Sequence, residues 1–92
     1  MKTVTFTGHA VKRMFERSVN ESEILEVLEL GEVIEEYPDD YPFPSRLLLR
    51  VVRGRPLHVV AGFDAKNERC YIITMYVPDP ARWDETFKAR RL

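Results

Sequence analysis

Two histidines, His9 and His58, are the only imidazoles in this 92-residue chain, and each stands near residues that handle protons or phosphate. His58 lies in PLHVVAGF (Pro56 to Phe63), while Thr74 and Tyr76 lie in CYIITMYVPDP (Cys70 to Pro80). Both segments read as strands joined by a short polar loop. A loop of roughly five residues makes Asp64 and Cys70 partners, which sets His58 opposite Tyr76 and Val60 opposite Thr74. A slip of two keeps His58 beside Thr74 or Tyr76, whereas a slip of one separates them. An imidazole beside a phenol can exchange protons and donate to a phosphoryl oxygen. The plainer alternative is a half-buried histidine bonded to the tyrosine for structural reasons.

His9, Arg13 and Arg17 recur at helical spacing, so all three line one face of a first helix. A neutral imidazole there can act as a base, and two arginines one and two turns away can bind phosphates. The competing reading is a cationic solvent face. Arg46 and Arg50 share parity in another strand, and they project beside the site if the turn at Arg53-Gly54-Arg55 sets that register. Arg90 and Arg91 read as cations on a mobile tail. Two histidines and one cysteine lack the spacing of a metal-ligand pair, so no metal and no cofactor is expected. The chain also has no Gly-rich phosphate loop and no Gly-x-Ser-x-Gly elbow. Asp39-Asp40 sits among prolines, where it stabilises a turn more simply than it binds a cation.

The elements that must position these groups follow from local signals. Thr7 caps a helix over residues 7–17, with Phe6 and Val11 as a hydrophobic staple and Ala10, Val11, Met14 and Phe15 as its apolar stripe. Asn20 and Glu23 form a capping box for a second helix. Ile24, Val27, Leu28 and Leu25 face inward, and Gly31 ends it in the left-handed region. Four strands follow, at 32–37, 46–52, 57–63 and 69–77, broken by the proline-rich turn 38–44. Trp83 and Phe87 can fold the C-terminal segment back onto the domain. The expected fold is α+β: two N-terminal helices packed on a four-stranded antiparallel sheet.

Length and composition bound the rest. Ninety-two residues with 45% apolar content make one domain with a modest core. No apolar run approaches the ~20 residues of a membrane span, no secretory leader is visible, and one cysteine fits a reducing compartment. A cytoplasmic protein without a membrane partner is expected. Net charge is −1, yet residues 18–45 carry nine acids and no cation, which leaves +8 on the remainder (−1 minus −9). A chain divided in this way can present one anionic and one cationic surface.

The elements His9-Ala10-x-x-Arg13-x-x-x-Arg17, Gly31-Glu32-Val33-Ile34-Glu35-x-Tyr37 and Pro56-Leu57-His58-Val59-Val60 occur in one order. Ile73-Thr74-x-Tyr76-x-Pro78-Asp79 and Trp83 complete it. In this the chain resembles the domain-of-unknown-function family numbered 4258. That family resembles in turn the barnase–EndoU–colicin–RelE class of metal-independent ribonucleases. The resemblance implies a toxin of a toxin–antitoxin pair, with RNA as substrate and a small zinc-finger antitoxin as partner. It also implies a cleft using His9, Arg13, Arg17, His58 and Tyr76; from their strand positions, Arg50 and Thr74 are read beside these as substrate contacts.

The expected activity is an RNA endonuclease in which a ribose 2′-OH attacks the adjacent phosphate. His58 or His9 takes the proton, Tyr76 or the other histidine protonates the leaving oxygen, and Arg13 and Arg17 stabilise the phosphorane. His58→Ala should then abolish cleavage and leave the fold nearly as stable. The alternatives are a non-catalytic RNA- or protein-binding module of the same fold, and a scaffold recognised through the acidic helix 21–30.

Overall fold

Asn20 starts its helix as its residue type dictates. Its side-chain oxygen accepts from the Glu23 amide at 2.9 Å, and the Glu23 carboxylate accepts from the Asn20 amide at 3.0 Å. This reciprocal box fixes helix α2 (Glu21–Leu30), and the engagement explains why Glu23 is buried. Thr7 begins helix α1 (Gly8–Glu16) by accepting from the Ala10 amide at 3.1 Å. Ala10 and Met14 turn inward, while Val11 and Phe15 stay 52% and 87% exposed, so the inward stripe of α1 is narrower than its sequence suggests. Leu25 of α2 is likewise exposed.

Gly31 ends α2 with φ −73° and ψ 160°, an extended conformation rather than the expected left-handed one. Glycine is needed there for space. A Cβ would sit 2.3 Å from the Val27 carbonyl oxygen and 3.1 Å from that of Leu49.

The computed structural model describes residues 3–92. Before the helices comes a strand, β1 (Thr3–Phe6); after them come β2 (Glu32–Tyr37), β3 (Ser45–Val52), β4 (Arg55–Asp64) and β5 (Arg69–Tyr76). They form one sheet in the order β1-β5-β4-β3-β2, with β1 parallel to β5 and the other pairs antiparallel. This corrects the expected fold. The sheet has five strands and is mixed, and the helices are not both at the N-terminal end of the element order. A four-residue strand read in isolation looks like a lead-in to α1. Its partner lies at the far end of the chain, as a parallel crossover requires.

Two β-bulges set the faces of the sheet. In β5 the partners run Val60↔Thr74 and then Ala61↔Ile72, so Ile73 is the extra residue. The hairpin therefore begins with Asp64↔Arg69, not Asp64↔Cys70, and the bulge restores His58↔Tyr76. Without it His58 would face Met75, and Tyr76 would point to the other side. In β2 the partners run Val33↔Leu48 and then Glu35↔Leu47, so Ile34 is extra and Glu32 shares a face with Glu35. The β3–β4 turn consists of Arg53 and Gly54, both at positive φ (53° and 77°), and pairs Leu49 with His58 and Arg50 with Leu57.

Both helices pack on one face of this sheet, over Leu48, Val52, Leu57, Val59, Ala61, Cys70, Ile72 and Met75. The opposite, outer face carries His58 and Tyr76.

Candidate active site

Past Ile72 the outer edge of β5 has no strand partner, because β1 ends at Phe6. Backbone carbonyls left there need donors. The Thr7 amide donates to the Ile72 carbonyl at 3.1 Å, the Thr7 hydroxyl to the Ile73 carbonyl at 3.0 Å, and Arg13 Nε to the Met75 carbonyl at 3.4 Å. These bonds seat the start of α1 on the strand edge. They bring exposed His9 to β5, with its Nε2 3.0 Å from Thr74 Oγ1. Thr74 and Tyr76 lie two residues apart on the outer face, about 7 Å along the strand.

His58 arrives from the other side of β5 and is fully buried. Its Nδ1 lies 3.1 Å from the Tyr76 hydroxyl, and its Nε2 lies 2.8 Å from the Phe87 carbonyl oxygen. The Trp83 ring meets the imidazole edge-on at a centroid distance of 4.5 Å. Burial pushes the imidazole's pKa down and keeps it neutral; nearby Arg90 acts the same way, while the Phe87 bond and Glu35 oppose. Burial also raises the Tyr76 hydroxyl above the usual phenol range.

Tyr76 opens on a cleft of about 670 Å³, lined also by Arg13, Asp79, Arg82, Trp83, Arg90 and Arg91. Among the described residues of the lining, four guanidinium groups thus stand against a single acidic side chain, Asp79. Three of the four come from the C-terminal segment, which the structure anchors. Trp83 and Arg90 form a bridge, Arg90 lies over the Trp83 ring at 4.6 Å, and Arg91 donates to the Pro80 carbonyl at 2.8 Å. Arg90 also pairs with Glu35, and Lys88 with Glu32 at 3.1 Å, so the two acids aligned by the Ile34 bulge hold the segment.

The residues singled out in the sequence fall into two groups. His9, Thr74, Arg13, Tyr76 and His58 gather around the end of β5. Arg50 does not join them: its partner Leu57 places it on the helix face, where its Nε is 3.3 Å from Glu26. Arg17 is the C-cap of α1, its carbonyl accepts from Arg55 at 2.7 Å, and it does not line the cleft. Sequence reasoning misses Arg82 entirely and takes Arg90 and Arg91 for loose cations. Trp83, with Phe87 after it and beyond the Pro78 and Pro80 breaks, is the available signal of a packed segment. Among the described residues, no three His, Cys, Asp or Glu side chains cluster as a metal site, and no helix is long and apolar enough to cross a membrane.

A family model described as Domain of unknown function (DUF4258) matches residues 6–77. The matched span contains His9, Arg13, His58, Thr74 and Tyr76, and it stops short of Arg82, Trp83 and Arg90. No curated protein and no solved structure matches the chain.

Proposed function

We propose a function from the chemistry of the cleft, because the chain belongs to the DUF4258 family and that family is described as a domain of unknown function. The reading is an endonuclease for RNA that cleaves by attack of a ribose 2′-OH on its own 3′ phosphate. The observation that carries it is Tyr76, bonded to a buried neutral histidine and opening on a cleft lined by four arginines.

In the cleavage step the 2′-oxygen bonds to phosphorus and the P–O5′ bond breaks, leaving a 2′,3′-cyclic phosphate and a free 5′-OH. The 2′-OH proton passes to the Tyr76 oxygen as the phenolic proton moves to His58 Nδ1. The departing O5′ takes a proton from His9, which reaches β5 beside Thr74, two residues before Tyr76. Arg13, Arg82 and Arg91 bind the phosphate and the extra charge of the phosphorane. The toxin role and a small zinc-finger antitoxin partner belong to the same proposal and follow from the family resemblance. Growth arrest on expression, relieved by Tyr76→Phe, would support them.

A second reading has its own observation. His58 is enclosed, with both ring nitrogens bonded, as a structural His–Tyr pair behind a non-catalytic RNA-binding groove would be. Single-stranded RNA incubated with the purified protein separates the two. The enzyme leaves 2′,3′-cyclic phosphate ends that disappear with Tyr76→Phe, whereas the binding module retains RNA uncut in both proteins.

A further inference from the structure

Residues 78–92 lie beyond the family-matched span, yet they complete the surroundings of His58. The bridge between Trp83 and Arg90, with the Asp84 amide donating to the Ala89 carbonyl at 2.9 Å, closes a tight loop. Within it Phe87 has φ 60°, in the left-handed region, and its carbonyl oxygen meets His58 Nε2 at 2.8 Å. A backbone carbonyl can only accept, so Nε2 carries the ring hydrogen. A neutral imidazole has one N–H, so Nδ1 presents a lone pair to the Tyr76 hydroxyl 3.1 Å away, and the phenol donates. Tyr76 alone would not decide this, because a hydroxyl accepts from an Nδ1–H as readily as it donates to a bare Nδ1.

We propose that the Phe87 carbonyl selects the Nε2–H tautomer of His58 and thereby turns the lone pairs of the Tyr76 oxygen, rather than its proton, toward the cleft. Phe87 is then a positioning residue acting through its backbone. The loop Trp83–Arg90 is the device that holds it, latched by the Arg90–Glu35 and Lys88–Glu32 pairs. The consequence for catalysis rests on the reading of Tyr76 and His58 as the proton-accepting arm. The tautomer selection itself does not.

The test is nitrogen NMR of ¹⁵N-histidine-labelled full-length protein, which distinguishes a protonated ring nitrogen from a bare one. Wild type should show His58 with Nε2 protonated and Nδ1 bare. Tyr76→Phe should show the same, since the carbonyl and not the phenol sets the state. Phe87→Gly, which tolerates positive φ, should keep the tautomer. Phe87→Ile, a β-branched residue that left-handed backbone excludes, should turn the carbonyl away and give a mixture of tautomers. RNA cleavage by Phe87→Ile should fall roughly tenfold or more below that of Phe87→Gly. An Nδ1–H tautomer in wild type or in Tyr76→Phe overturns the inference, as does pure Nε2–H in Phe87→Ile. Should Phe87→Ile fail to fold, Tyr76→Phe decides alone. Intact tautomer selection in a protein that leaves RNA uncut sinks the nuclease reading and leaves the selection standing.

Discussion

At the scale of single residues, burial changes what a substitution at His58 can report. From the sequence, His58→Ala should remove proton chemistry and spare the fold. In the folded protein the imidazole is fully buried, packed against Trp83 and bonded at both nitrogens. Alanine would leave a cavity together with an unpaired Phe87 carbonyl, so a loss of about 2–4 kcal/mol is expected in urea unfolding. Tyr76→Phe is the cleaner probe. It keeps the ring, costs roughly 1–3 kcal/mol for the bare Nδ1, and should lower RNA cleavage by about 10²–10⁴. Unchanged cleavage by Tyr76→Phe would remove the phenol from the mechanism and make His9 the better candidate for the base.

His58 also predicts a pH dependence of stability. Its folded pKa is lowered by burial and by Arg90, against the Phe87 bond and Glu35, so its contribution is fully present above the unfolded value of about 6.5. The contribution is lost as pH falls from there through the folded pKa, because only the unfolded chain then gains the proton. Denaturation midpoints measured between about pH 7.5 and 5 should decline more steeply for wild type than for His58→Leu. Parallel profiles would show that the imidazole is not held neutral.

Among the elements, the two bulges carry the most consequence. Ile73 lets a hairpin that starts at Asp64↔Arg69 still deliver Tyr76 to His58, and Ile34 sets Glu32 and Glu35 side by side for the C-terminal latch. The residue joining α2 to β2 is equally constrained. Gly31→Ala would press a methyl group onto two backbone carbonyl oxygens that cannot move aside. Its expected cost is roughly 1–3 kcal/mol, read as a lower urea midpoint with unchanged slope. A neutral result would mean that α2 can shift relative to β3 without penalty.

For the whole molecule, folding pairs part of the charge that is split along the chain. Of the nine acids in 18–45, Glu26, Glu32, Glu35 and Glu36 pair with Arg50, Lys88, Arg90 and Arg46. These four acids serve as an internal counterpart to the basic strand β3 and the tail. Glu21, Glu29, Asp39 and Asp40 stay exposed. Of the cleft arginines, Arg90 pairs with Glu35 and Arg13 lies 3.8 Å from Glu16, so among the described residues Arg82 and Arg91 are the two that no ion pair engages. Arg13→Ala together with Arg82→Ala should weaken binding of single-stranded RNA and flatten its salt dependence, by about 0.7 in the log–log slope for each phosphate no longer neutralised. An unchanged slope would leave both arginines outside the RNA interface.

Local chemistry makes much of this protein legible before folding is considered. Thr7 and Asn20 announce their helices because a capping side chain bonds an amide three residues away. Arg53-Gly54 announces its hairpin because two successive residues adopt positive φ there. The facing of His58 and Tyr76 is legible too, though from a hairpin start one residue off, an error that the bulge at Ile73 cancels. Only the tertiary structure decided the parallel strand β1, the faces of Arg50 and Glu35, and the enclosure of His58 by the Phe87 carbonyl. Each of these depends on partners distant in sequence. A bulge or a parallel pairing is selected by the packing of the whole sheet, and no signal within a few residues encodes it.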